Sequence, residues 1–283
     1  MISAISHGGT SSVYLGEHRV TGERVAIKML DAFYAGYGEL VHRLLGEREL
    51  ASRVRHAGLI DIMGAGRTSD GVPYVVMAYL DGESLGAQLL RAALPIDAVT
   101  AIGAQIASAV AALHAAGIVH CDLKPQNVLV LREQGPGGAP RIKVIDYSIA
   151  RRVDEPPLTE GVIAGTPAFM APEQWQGAPS PKSDVYALGC VLYALVTGAP
   201  PFAGGLQDLR IAHTERMPPR PAAHRPDVDP ALERLIVRAL AKDPALRPTM
   251  ADACAELVRL TPARWRRYEE IPAAARGHLD ATG

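Results

Sequence analysis

Residues 119–130 read VHCDLKPQNVLV, with a carboxylate (Asp122), an amine (Lys124) and a carboxamide (Asn127) set between apolar flanks at spacings of two and three. A carboxylate can take a proton from a nucleophile, and a carboxamide can hold a metal through its carbonyl oxygen. An ammonium two residues along an extended loop lies on the same face as the carboxylate and can neutralise a phosphoryl group in flight. Alone, such a stretch is equally compatible with a structural loop, so its partners matter. "VAIK" puts Lys28 on a β-type run, "VIDYS" puts Asp146 directly after an apolar strand, and "GTPAFMAPE" ends at Glu173.

The elements that must carry these groups follow from pattern. "SVYLGEHRVTGERVAIKML" reads as two strands joined by a Thr-Gly turn. Residues 39–54 have helical periodicity, and "LIDIMGAGRTSDGVPYVVMAYL" gives two more strands around an Asp-Gly turn. Residues 97–116 form an Ala-rich helix, short strands follow near 128–130 and 141–145, and "REQGPGGAP" is a turn-rich loop between them. Helices are expected near 184–197, 206–213, 230–240 and 250–259. The fold class is therefore α+β and bilobal. A small β-rich N-terminal lobe (1–80) precedes a larger, mostly helical lobe (81–260) and a patternless tail (261–283).

Lys28, Glu47, Asp122, Asn127, Asp146 and Glu173 occur in one order, and with their flanking motifs the chain resembles bacterial Ser/Thr protein kinases of the eukaryotic type. The resemblance spans residues 5 to about 260. It implies that Lys28 holds the α and β phosphates of ATP and that Glu47, nine residues before His56 of "HAGL", pairs with Lys28. Glu49 is a rival, set about 200° away round the helix. The resemblance further implies that Asp122 accepts the substrate hydroxyl proton, Lys124 contacts the γ-phosphate, and Asn127 and Asp146 hold Mg²⁺. Gly8 and Gly9 would approach phosphate. Met77 would be the gatekeeper, with Ala78 and Leu80 binding adenine and Val13, Ala26 and Leu129 sandwiching the ring. Asp184 would brace the catalytic loop, and Glu173 would pair with Arg247 of "ALRPTM". Lys124 together with Thr166 is the pattern of Ser/Thr-directed members.

The chain also departs from the family. Ser6, Gly8 and Ser11 stand at the glycine positions of the phosphate loop, the first strand looks clipped, and "HRD" and "DFG" read "HCD" and "DYS". No departure removes an essential charge. A pseudokinase, binding ATP or serving as a scaffold, is the alternative that the poor glycine loop supports. His120 reads as a packed structural histidine and Cys121 as inert. With Cys121 in place of an arginine, Thr159 is the natural site of loop phosphorylation, and Arg151 and Arg152 could receive its phosphate.

Composition narrows the partners. The 283 residues carry 29 Lys+Arg against 30 Asp+Glu, a balance that argues against a nucleic-acid or acidic-membrane surface. Residues 101–120 and 184–198 are apolar and read as buried helices, and neither a signal peptide nor a membrane anchor is apparent in this chain. Three scattered cysteines point to reduced thiols and a cytoplasmic setting. Protein substrates are the implied partners, and a dimer is left open.

Overall fold

The computed structural model describes residues 2–156 and 165–265. Five antiparallel strands form the first sheet: β1 (Ser3–His7), β2 (Ser11–Glu17), β3 (Arg24–Leu30), β4 (Ile62–Arg67) and β5 (Pro73–Ala78), in the order β1-β2-β3-β5-β4. The Thr-Gly turn forms as expected between β2 and β3, with Gly22 at φ +70° and His18 N–H donating to Glu23 O at 2.8 Å. Helix α1 (Gly38–Ser52) lies against this sheet. Val41 and Leu44 of α1 meet Leu30 and Val75 of the sheet in a small core of their own. The strand that looked clipped does form. β1 pairs with β2, Ser3 opposite Leu15, although it is exposed along its whole length.

A second, larger core begins after β5. It is built around α3 (Ile96–Ala115) and α4 (Pro181–Thr197), packed with α7 (Pro230–Ala239) and α8 (Met250–Leu260). Between these lie β6 (Gly82–Ser84), α2 (Leu85–Leu89), β7 (Ile118–Val119), β8 (Val128–Leu131), β9 (Ile142–Val144) and β10 (Arg151–Arg152). α5 (Leu206–Glu215) and α6 (Pro221–His224) complete the helices among the described residues. α3 is long and apolar enough to cross a membrane, but its residues from Val99 to Leu113 are mostly buried among the other helices.

Local chemistry sets the helix ends. Ser180 caps α4 by accepting from Lys182 N, and Pro181 occupies the first helical position, so the helix starts three residues before the expected 184. Asp229 and Thr249 cap α7 and α8 in the same way. Strands β8 and β9 form a hairpin that also pairs with β6, while β10 pairs with β7. Asn127 immediately precedes β8 and Asp146 closely follows β9, so this hairpin positions both residues.

Candidate active site

Three charged side chains converge between β3, α1 and the end of β9. Lys28 Nζ lies 2.7 Å from Glu47 Oε1 and 2.8 Å from Asp146 Oδ1. Glu47 is only 3% exposed, whereas Glu49 sits on the solvent side of α1 and pairs with Arg53 at 2.8 Å. Burial opposes the charge on Lys28, but the carboxylates of Glu47 and Asp146 outweigh it and raise the lysine pKa. Burial also pushes the Glu47 carboxyl up, to about 7, against the pull of Lys28. Burial disfavours the Asp146 carboxylate too, yet Lys28 and the Ser148 amide hold it below its ordinary value. Both of those contacts fall on Asp146 Oδ1, the Ser148 amide at 3.0 Å.

The loop carrying Asp122 forms a second knot. Asp122 Oδ1 accepts from Thr166 Oγ1 at 2.7 Å, and Oδ2 accepts from Lys124 Nζ at 2.6 Å. Lys124 also donates to Thr166 Oγ1 at 2.7 Å. Asn127 Nδ2 donates to the Asp122 backbone oxygen at 2.9 Å and to Oδ2 at 3.1 Å. With its N–H groups turned to Asp122, Asn127 has its carbonyl oxygen to offer to a cation. Ile145 N–H donates to Asn127 O at 3.0 Å, so the two knots are joined through adjacent backbone. An amide oxygen from Asn127 and a carboxylate oxygen from Asp146 are hard donors of the kind that would suit a divalent cation such as Mg²⁺.

The expected nucleotide-contacting residues lie on neighbouring strands. Val13 on β2 stands opposite Lys28, and Ala26 on β3 stands opposite Met77 on β5. Ala78 ends β5, Leu80 follows it, and Leu129 lies on β8 in the other sheet. Gly8 and Gly9 form the turn between β1 and β2, where Gly8 N–H donates to Ser11 O at 2.8 Å. A Cβ at Gly8 would stand 3.0 Å from Ser11 O, a close approach that favours glycine in this turn even though Ser6 and Ser11 replace others.

The Protein kinase domain family model matches residues 1–258. The chain belongs to the protein kinase family. It is 40% identical to serine/threonine-protein kinase Pkn1 of Myxococcus xanthus over 94% of this chain and 40% of that protein. Identity to PknL of Mycobacterium tuberculosis is 36%, over 89% of this chain and 62% of the relative. The chain thus spans roughly half the length of the curated relatives it matches. A double mutant of the Mycobacterium tuberculosis PknI kinase domain superposes with a TM-score of 0.72 at 27% identity, covering 91% of this chain and 93% of that one. The bilobal kinase fold accounts for the two cores described above.

Beneath the kinase loop, Asp184 on α4 accepts from the backbone N–H of His120 at 2.8 Å and of Cys121 at 2.9 Å. His114 Nε2 is 2.8 Å from the same carboxylate. Cys121 is the one described non-glycine residue with a left-handed backbone, at φ +66°. Its carbonyl accepts from Gln174 Nε2 at 2.9 Å. Burial drives the Cys121 thiol pKa well up, and the Asp184 charge adds to it, which disfavours the thiolate that an oxidant sensor would need. His120 is fully buried and accepts from Asp122 N–H at 3.3 Å through Nδ1, a packing role.

Glu173 and Arg247 form the expected pair in bidentate geometry, at 2.7 and 2.9 Å. Ser183 Oγ donates to Glu173 at 2.6 Å. His114, Gln174 and Ser183 were not expected from the sequence. Each is a single polar residue whose partner lies 10 to 70 positions away, and no spacing marks it. Thr159 lies outside the described residues. Arg152 is engaged by Asp154, whereas Arg151 lies 3.6 Å from Glu155 and donates to Pro156 O.

Proposed function

We propose that this chain transfers the γ-phosphoryl group of ATP to Ser/Thr hydroxyls of protein substrates. The observation that carries the reading is Lys28 bridging Glu47 and Asp146, a cation held between β3, α1 and the end of β9. Phosphoryl transfer asks for placement and charge stabilisation more than covalent chemistry, and this constellation supplies both. Asp122 Oδ1 already accepts a hydrogen bond from an aliphatic hydroxyl, Thr166 Oγ1, the contact a substrate Ser or Thr would need in order to pass its proton to the same carboxylate. Lys124, within reach of both Asp122 and Thr166, would stabilise charge on the transferring group. Asn127 and Asp146 would hold Mg²⁺, whose charge would offset that of the ATP phosphates. Val13, Ala26, Met77, Ala78, Leu80 and Leu129 would enclose the adenine, with residues 1–80 and 81–260 as the two lobes of the cleft.

The test is labelled ATP with Mg²⁺ and a generic protein substrate. Lys28→Met and Asp146→Ala should each lower transfer by about a hundredfold or more, and Asp122→Asn should do so while leaving nucleotide binding in place. Retention of more than about a tenth of wild-type turnover in both Lys28→Met and Asp146→Ala would sink the reading. Nucleotide binding without transfer in the wild type would instead establish the pseudokinase alternative, which the serines of the phosphate loop favour.

A further inference from the structure

Asn127 and Asp146 sit at the open end of one hairpin. Its ladder runs through Val128 opposite Val144, Leu129 opposite Lys143 and Val130 opposite Ile142, and Leu131 N–H donates to Arg141 O at 2.8 Å. The closed end is a ten-residue loop, 132–141. Within it, Gly135 N–H donates to Ala139 O at 2.8 Å, and Gly137 and Gly138 both adopt left-handed conformations at φ +66° and +75°. Two adjacent glycines give such a tip high conformational entropy when it is unsupported. Support comes from the chain after α8. Trp265 Nε1 donates to Gly137 O at 2.9 Å. Arg264 stacks on the Trp265 ring at 4.7 Å and pairs with Asp97 in the first turn of α3 at 3.1 Å. A Cβ at Gly137 would lie 2.9 Å from Arg264 O, so the two backbones are in close contact. Further along α3, Gln105 donates to Pro140 O at 2.8 Å and accepts from Ile142 N–H at 3.2 Å. The hairpin is therefore referenced to α3 where its loop rejoins β9, through Gln105, and at the loop tip through Trp265 and Arg264.

We propose that Trp265 is a positioning residue which, from the closed end of the β8–β9 hairpin, fixes the spacing of Asn127 and Asp146 at the open end. The inference rests on the proposed function only in taking those two residues as metal ligands. The experiment uses the full chain with Trp265→Phe, which keeps a ring and drops the N–H, and Gly137→Ala, which forces the tip off Arg264. Amide hydrogen exchange over residues 128–131 and 142–146 is measured without nucleotide, and the Mg²⁺ midpoint is measured for binding of a fluorescent ATP analogue. Exchange in those strands should quicken about threefold to tenfold, the scale of one neutral hydrogen bond, and the Mg²⁺ midpoint should rise by a similar factor. Metal-free nucleotide binding should stay within about twofold, because of the residues proposed to enclose the adenine only Leu129 lies on the hairpin, the others lying on β2, β3 and β5 or just after β5. Unchanged exchange at 142–146, or equal acceleration across α4, would overturn the proposal, the latter by showing plain destabilisation. Absence of Mg²⁺-dependent binding in the wild type would refute the proposed function itself, and the exchange arm alone would then decide the coupling.

Discussion

Asp184→Asn probes how the kinase loop is held, with almost no change in shape. The Asp184 carboxylate is 1% exposed, and its Oδ2 serves both His120 N–H and His114 while Oδ1 serves Cys121 N–H. An asparagine can place its oxygen toward one backbone donor only, and its NH₂ then faces the other N–H, donor against donor. Loss of a charge-assisted hydrogen bond costs about 1.5–3 kcal/mol, and the stranded buried N–H adds about 1–3 kcal/mol. A total of about 4 kcal/mol converts to a fall in Tm of roughly 10 °C for a domain of this size. Function should suffer as well. Left-handed backbone at Cys121 stores about 1–3 kcal/mol of strain that Asp184 helps to hold, and its release shifts the neighbouring Asp122. A displacement near 1 Å lowers turnover about a hundredfold. The assay pairs thermal unfolding with phosphoryl transfer in Asp184→Asn, Cys121→Gly and the double variant. Glycine adopts this φ without strain, so the double variant should recover about fivefold to tenfold of the activity lost in Asp184→Asn. A Tm drop under about 2 °C, or no recovery in the double variant, would refute the argument that Asp184 works by holding a strained residue.

Three further outcomes are expected. Arg247 uses all five of its N–H groups, on Glu173 and on the carbonyls of Ala241, Lys182 and Lys242, so Glu173→Gln should cost about 3–5 kcal/mol in urea unfolding; a loss under about 1 kcal/mol contradicts this. Burial first, and the Lys242 charge second, lower the His213 pKa to about 4. The unfolded chain therefore binds the proton more readily, and stability present above about pH 6.5 should fall by up to about 3 kcal/mol as the pH drops toward 4, a slope that His213→Phe should flatten. Phosphatase treatment and Thr159→Ala should leave basal activity within about threefold, and a loss of a hundredfold in either would show that loop phosphorylation governs the enzyme.

Much of this architecture was legible because it rests on local signals. Helix α1 was read from the periodicity of 39–54, α3 from the Ala-rich run 97–116, helices were expected near α4, α5, α7 and α8, and the β2–β3 hairpin was marked by its Thr-Gly turn. The resemblance to protein kinases implied Lys28 and Glu47 as partners, and helix geometry set the rival Glu49 about 200° away round α1. The two- and three-residue strands β6, β7 and β10 carry no pattern of their own and exist through their neighbours. β1 was harder still, since all of its side chains face solvent and only backbone pairing with β2 defines it. His114 and Gln174 escaped notice for a related reason. Their meaning lies in contacts with Asp184 and with the Cys121 carbonyl, which folding alone brings within reach.

Cys121 shows what a small neutral side chain does where the family usually has arginine. Both of its peptide groups are committed, the N–H to Asp184 and the C=O to Gln174, so the left-handed turn is fixed by backbone contacts in which the side chain takes no part. Burial raises the thiol pKa, and Cys121 Sγ donates weakly to Val119 O at 3.6 Å. An arginine here would bring a second guanidinium near Arg151, and the pair would call for an anion. With cysteine, Arg151 meets Glu155 and Pro156 O from its own segment. Pairing of Arg151 and Arg152 with Val119 and Ile118 of β7, and the bond from Val153 N–H to Gly117 O at 2.8 Å, tie that segment to the catalytic loop. The segment is thus anchored as far as Pro156 by groups the chain already carries, which is the physical basis for expecting activity without an added phosphate.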